Sequence, residues 1–133
     1  MDPAASKKVF DDEVAEMRAQ ARFTKVWPIV SADYPDLVVE FPHPSGARRR
    51  FRFRCDDWDD QAPSVKSVDT EGNELANEPV GSLFMGLNSG YGLCAPGTRE
   101  YHDHHKENPW ANQGLSLAEI VVRAASHYRK SSG

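Results

Sequence analysis

The chain has 133 residues, of which 39% are hydrophobic and 27% charged, with a formal net charge of -4, a size that suits one domain spanning residues 1–133. That charge and a pI near 5.7 argue against a dedicated nucleic-acid or membrane-surface binder. No stretch approaches the roughly 20 apolar residues that span a bilayer, and the opening Met-Asp-Pro-Ala-Ala-Ser-Lys-Lys lacks the apolar core of a secretory signal. Two distant cysteines, Cys55 and Cys94, make neither a disulfide framework nor a four-cysteine zinc site, so a reducing cytoplasm is the expected setting.

From Lys7 to about Arg22, Phe10, Val14, Met17 and Ala21 recur at helical spacing, one stripe of an amphipathic helix. Its acids gather toward the front and Arg18 and Arg22 toward the end, as the helix dipole favours. Val26 to Val30 is short, β-branched and interrupted by Pro28, which predicts an edge strand or a bulge. Leu37 to Phe41 is a stronger strand, and His43-Pro44-Ser45-Gly46 a turn. Arg50 to Cys55 alternates: Phe51, Phe53 and Cys55 share one face, Arg50, Arg52 and Arg54 the other. This makes Cys55 a small buried hydrophobe. The arginines, with Arg48 and Arg49, read as a solvated strand face compensated by Asp56, Asp57, Asp59 and Asp60. Ser64 to Val68 is a further short strand ending in the turn Asp69-Thr70-Glu71-Gly72.

Residues 72 to 114 are rich in glycine and proline yet hold Leu83, Phe84, Tyr91, Leu93, Tyr101 and Trp110. A long irregular region in a compact domain is usually functional, and this apolar content predicts an ordered loop lying on the sheet. The last element is well specified: Ser116 and Glu119 form a capping box, and Leu117, Ile120, Val121, Ala124, Ala125 and Tyr128 hold one helical face. The predicted class is therefore α+β: an N-terminal helix, an antiparallel β-meander of about four strands, a long loop and a C-terminal helix.

That order resembles the ubiquitin-conjugating (ubiquitin-carrier) enzymes. Arg50 to Cys55 is similar to the family's third strand, Trp58-Asp59-Asp60-Gln61-Ala62-Pro63 to its aromatic, Pro-rich bend, and Ser64 to Val68 to its fourth strand. Gly92-Leu93-Cys94 is similar to the approach to the family's active thiol, Trp110 to its Trp, and Leu115-Ser116-Leu117 to the opening of its crossing helix. The likeness covers about residues 8 to 130. Two features depart from the pattern: the His-Pro-Asn tripeptide that precedes the family's cysteine is absent, His43-Pro44 lying in an early turn, and the two further helices of many members are missing. A short form, like those encoded in bacterial operons beside a ubiquitin-like protein and an adenylating enzyme, fits best.

The resemblance implies a transferase that needs no cofactor and carries a ubiquitin-like protein as a thioester on Cys94. It takes this cargo from an adenylating enzyme, docked on the first helix through Lys7, Lys8, Arg18 and Arg22, and passes it to a protein lysine. Glycines and Pro96 around Cys94 suggest an accessible thiol, and a nearby cation or imidazole would raise its thiolate fraction. His102, His104 and His105, with Asp103 among them, are candidates for a general base or for steadying the tetrahedral intermediate. Asn88, six residues before Cys94, is a candidate oxyanion donor, though in Leu-Asn-Ser-Gly it is also a natural turn residue. Two alternatives stand beside this reading. One is an inactive member of the same fold serving as a binding module, with Cys94 a structural thiol. The other is a zinc protein using Cys94 with His102, His104 and His105. Serine-hydrolase, phosphate-loop and dinucleotide motifs are absent.

Overall fold

Asp2 and Pro3 start the first helix: the Asp2 carboxylate accepts from the Ala5 amide at 3.3 Å, and proline at the first helical position is preset for helical backbone. The computed structural model describes residues 2–75, 84–87, 90–94, 97–104, 107, 109–110 and 114–131, with 84–87, 90–92 and 104 as backbone only. Helix α1 runs Pro3–Arg18 and buries Ser6, Phe10, Val14 and Met17. It begins four residues before the periodicity alone suggested, because its first turn carries no apolar stripe and is set by the cap. It also ends earlier, and Ala21 is exposed. A π-helical turn, Arg22–Val26, follows and buries Phe23.

Strands β1 (Ile29–Asp33), β2 (Asp36–Pro42), β3 (Arg48–Arg54) and β4 (Ser64–Val68) form an antiparallel sheet in sequence order. β1 starts after Pro28, not at Val26. It is an edge strand whose register against β2 shifts between Ile29 and Ser31, so both consequences of that proline appear. The alternation in β2 and β3 is realised in full: Leu37, Val39, Phe41, Phe51 and Phe53 are wholly buried. On the other face the arginines find their anions. Arg48 and Arg50 meet Glu40 at 2.8 and 3.5 Å, Arg52 and Lys66 meet Glu74 at 3.3 and 3.1 Å, and Arg54 meets Asp36 at 3.5 Å. Compensation thus comes across the strands and from Glu74. Asp56, one of the four predicted aspartates, lies 3.9 Å from Arg54.

The expected long loop is more regular than glycine and proline content implied. It contains a hairpin, β5 (Phe84–Leu87) with β6 (Gly90–Leu93), and a short helix, α2 (Arg99–His104). Both elements are too short for a hydrophobic period to show. Helix α3 (Leu117–Lys130) opens with the predicted capping box and buries all six predicted residues. Helices α1 and α3 pack on the sheet's apolar face, and Leu93 of β6 joins the same core. The architecture is α+β, with an N-terminal helix, a four-stranded antiparallel sheet and a C-terminal helix. Among the described residues, no helix is long and apolar enough to cross a membrane.

Candidate active site

Cys94 stands directly after β6, and its surroundings are built by the turn and helix that follow. Thr98 is 2% exposed. Its hydroxyl donates to the Leu93 carbonyl at 2.7 Å and accepts from the Tyr101 amide at 3.3 Å, so one side chain fixes the end of β6 and caps α2. Gly97 has a φ of +100°, and a Cβ there would sit 3.5 Å from Ile120 Cγ1; the turn needs a residue at ease in the left-handed region. Arg99 anchors the helix to the bend before β4. Its amide donates to the Pro63 carbonyl at 2.9 Å, its Nε to the Ala62 carbonyl at 3.0 Å, and its guanidinium to Asp56 at 2.6 Å.

Glu100 ties the same helix to β4. It is 9% exposed, and its Oε1 accepts from the Val65 amide at 2.6 Å. Burial raises its pKa to about 7, against the pull of the Val65 amide, Ser64, Lys66 and Arg99. This carboxylate bears on Cys94: burial first, then the Glu100 charge, push the thiol's pKa up. Cys94 is only 4% exposed. The expectation of an accessible, readily ionised thiol is therefore corrected. Neighbouring Leu93, Gly97 and Thr98 are themselves buried, and the negative charge of Glu100 disfavours the thiolate. Cys55 is wholly buried, as predicted, with its thiol pushed well above the usual range by burial.

His102 reaches the same turn. Its Nε2 accepts from the Gly97 amide at 3.1 Å, so that lone pair is committed to the backbone and the ring carries its proton on Nδ1. The ring stands edge-on to Trp110 and Tyr101, with centroids 5.3 and 5.0 Å away. His104 closes α2 with its backbone alone described, and His105 and Asn88 lie outside the described residues. Among the described residues no group of three His, Cys, Asp or Glu is placed to hold a metal ion.

From His102 a packed chain runs to the helices. Trp110 donates its indole N–H to the Asp59 carbonyl at 3.0 Å and lies 6.1 Å from the Trp58 ring. The Trp58 indole donates to Glu13 Oε2, and Glu13 Oε1 accepts from the Leu117 amide at 2.9 Å. Glu13 thus joins α1, the bend and the start of α3. Burial raises its pKa, while Leu117 and Trp58 oppose that shift.

Sequence reading missed Thr98, Arg99, Glu100 and Glu13. Gly97-Thr98 was a signal for a helix start, but no Glu or Gln three residues on completes a capping box. Glu13 was hidden among Asp11, Asp12 and Glu16 on what reads as a solvated face. Three of the expected docking cations have local partners, two on α1 and Arg22 in the turn after it: Lys7 pairs with Asp11 at 2.6 Å and Lys8 with Asp12 at 2.9 Å. Arg22 bonds Gln20 and lies over the Phe23 ring. No protein-family model matches the chain, and no curated protein is significantly similar to it.

Proposed function

We propose that this chain is a ubiquitin-conjugating-like carrier, in which Cys94 accepts a ubiquitin-like protein as a thioester and delivers it to an amine. The single observation behind this reading is placement: a helix, an antiparallel meander and a closing helix follow the order of the ubiquitin-conjugating family, and Cys94 stands just past the last strand. In the first step the Cys94 thiol loses its proton and attacks the carbonyl carbon of the thioester on the adenylating enzyme. The new C–S bond forms, and the adenylating enzyme's thiolate leaves and takes up a proton. In the second step a lysine amine attacks that carbonyl, the bond to Cys94 breaks, and the amine sheds a proton to solvent or a base. On this reading Cys94, 4% exposed, must become accessible for loading.

One observation favours a second reading. A thiol that is 4% exposed, raised in pKa beside Glu100, with His102 Nε2 held by a backbone amide, suits an inactive member of the same fold that binds its partners without chemistry. A non-reducing gel with the cognate ubiquitin-like protein, adenylating enzyme and ATP separates the two. The carrier reading expects a band that a thiol reductant removes and Cys94→Ala never forms. The binding-module reading expects no such band and full partner binding by Cys94→Ser.

A further inference from the structure

The two edges of the sheet are finished differently. Along β4 outward-facing groups are taken up: the Val65 amide donates to Glu100 at 2.6 Å, the Ser67 carbonyl accepts from the Leu75 amide at 3.0 Å, and Val68 is bridged to Glu74. β1 forms the opposite edge, and among the described residues no strand pairs with its outer side. Glu40 donates its amide to the Pro28 carbonyl at 3.1 Å, which sets the phase of the ladder: Glu40, Val38 and Asp36 bond toward β1, and Leu37 toward β3. Ala32, opposite Leu37, therefore directs its N–H and C=O away from β2. Val30 is the residue that the register skips.

Side chains along this edge do little to guard it. Exposed strand edges usually carry charges that discourage pairing, yet Ile29, Val30, Ser31 and Ala32 are uncharged, and Asp33 alone ends the strand with a charge. Among the described residues the large hydrophobic side chains left exposed are both here, Val26 at 47% and Val30 at 40%. Charge differs between the two ends. Exposed Arg22 and Lys25 precede the strand. At its far end stands Asp33, and Lys7, which feels that carboxylate, is already paired with Asp11 at 2.6 Å. A two-fold axis across the edge sets each copy's basic start beside the other's acidic end, so the surface complements itself.

We propose that two copies of this chain pair antiparallel along β1, with the two-fold axis near Ser31, joining their four-stranded sheets into one continuous sheet. Backbone bonds at Ala32 and contact between the Val30 side chains hold the pair. Pro28, just outside the strand, offers no N–H, so the open edge is confined to the five residues Ile29–Asp33, about 17 Å of strand. That length supports a weak, reversible dimer rather than an obligate one. The two-fold uses up the edge, so growth stops at two copies. Glu100 ties α2 to β4, at the far edge of the sheet, and the interface is independent of the reading given to Cys94.

The test is sedimentation velocity of the full chain from about 10 µM to about 1 mM, a span that reaches weak dimers. The mass rises from 14.9 kDa toward twice that value, with half-association near about 100 µM. Hydrogen–deuterium exchange over β1 slows at least about threefold at the upper concentration, while exchange over β4 is unchanged. Val30→Lys, at an exposed side chain, weakens association at least about tenfold, whereas Thr70→Lys, which adds the same charge on the exposed turn after β4, changes it less than about twofold. Ser31→Lys makes the same test should Val30→Lys fail to fold. A monomer at every concentration, which leaves the edge to a strand of another protein, overturns the proposal. So does association without slowed exchange over β1, or equal weakening by the Thr70 and Val30 variants.

Discussion

Glu100 links the candidate site to the stability of the whole protein. Its folded-state pKa of about 7 lies above the ordinary 4.5. Between those values the folded protein holds a proton that the unfolded chain has released. Stability therefore falls as pH rises through that window and levels off above it. The shift corresponds to a cost on the order of 3 kcal/mol at neutral pH. Glu100→Gln keeps an acceptor for the Val65 amide and removes the titration. Urea unfolding at about pH 5 and about pH 8 should show wild type losing roughly 2–3 kcal/mol more than the variant across that interval; equal losses contradict this role. The thiol beside it was legible in the sequence as a lone cysteine in a Gly-rich stretch. Its burial was not, because a glycine-rich stretch with a proline says nothing about how much of a neighbouring side chain the folded protein leaves open.

At the scale of elements, the joints are made by single side chains that satisfy helix ends. Glu13 accepts from the Leu117 amide and the Trp58 indole, so Glu13→Ala leaves two donors at a packed junction unsatisfied. The expected loss is about 2–4 kcal/mol in urea unfolding, with Glu13→Gln, which keeps one amide oxygen, losing about half as much. Ser116→Ala breaks the capping box of α3, in which the Ser116 hydroxyl accepts from the Glu119 amide at 3.2 Å, and should cost about 1 kcal/mol. These two joints differ in how visible they were. The Ser116 box is a local pattern four residues long and could be read directly. The Glu13 joint spans 104 positions and leaves no trace in local periodicity. The hairpin and α2 were missed for a related reason: with 4, 4 and 6 residues, they are too brief for a period of 2.0 or 3.6 to declare itself.

For the molecule as a whole, the two long amphipathic helices and the alternating strands carried the α+β order, since each must bury one face against the others. Phe51, Phe53 and Cys55, all wholly buried, are where that inference was firmest. The electrostatics were legible in sign but not fully in pairing: arginines of β3 pair with Glu40, Asp36 and Glu74, which only the folded sheet brings near. The proposed carrier role rests on this same order of elements and on where Cys94 falls within it, so chemistry at that sulfur tests the proposal most directly. Intact-mass analysis of Cys94→Ser incubated with ATP, the cognate ubiquitin-like protein and its adenylating enzyme is the measurement of choice. The account predicts one added ubiquitin-like protein, joined as an ester that resists thiols and is cleaved by hydroxide, where wild type forms a thiol-sensitive adduct. No adduct on either protein, or one that persists in Cys94→Ala, would contradict it.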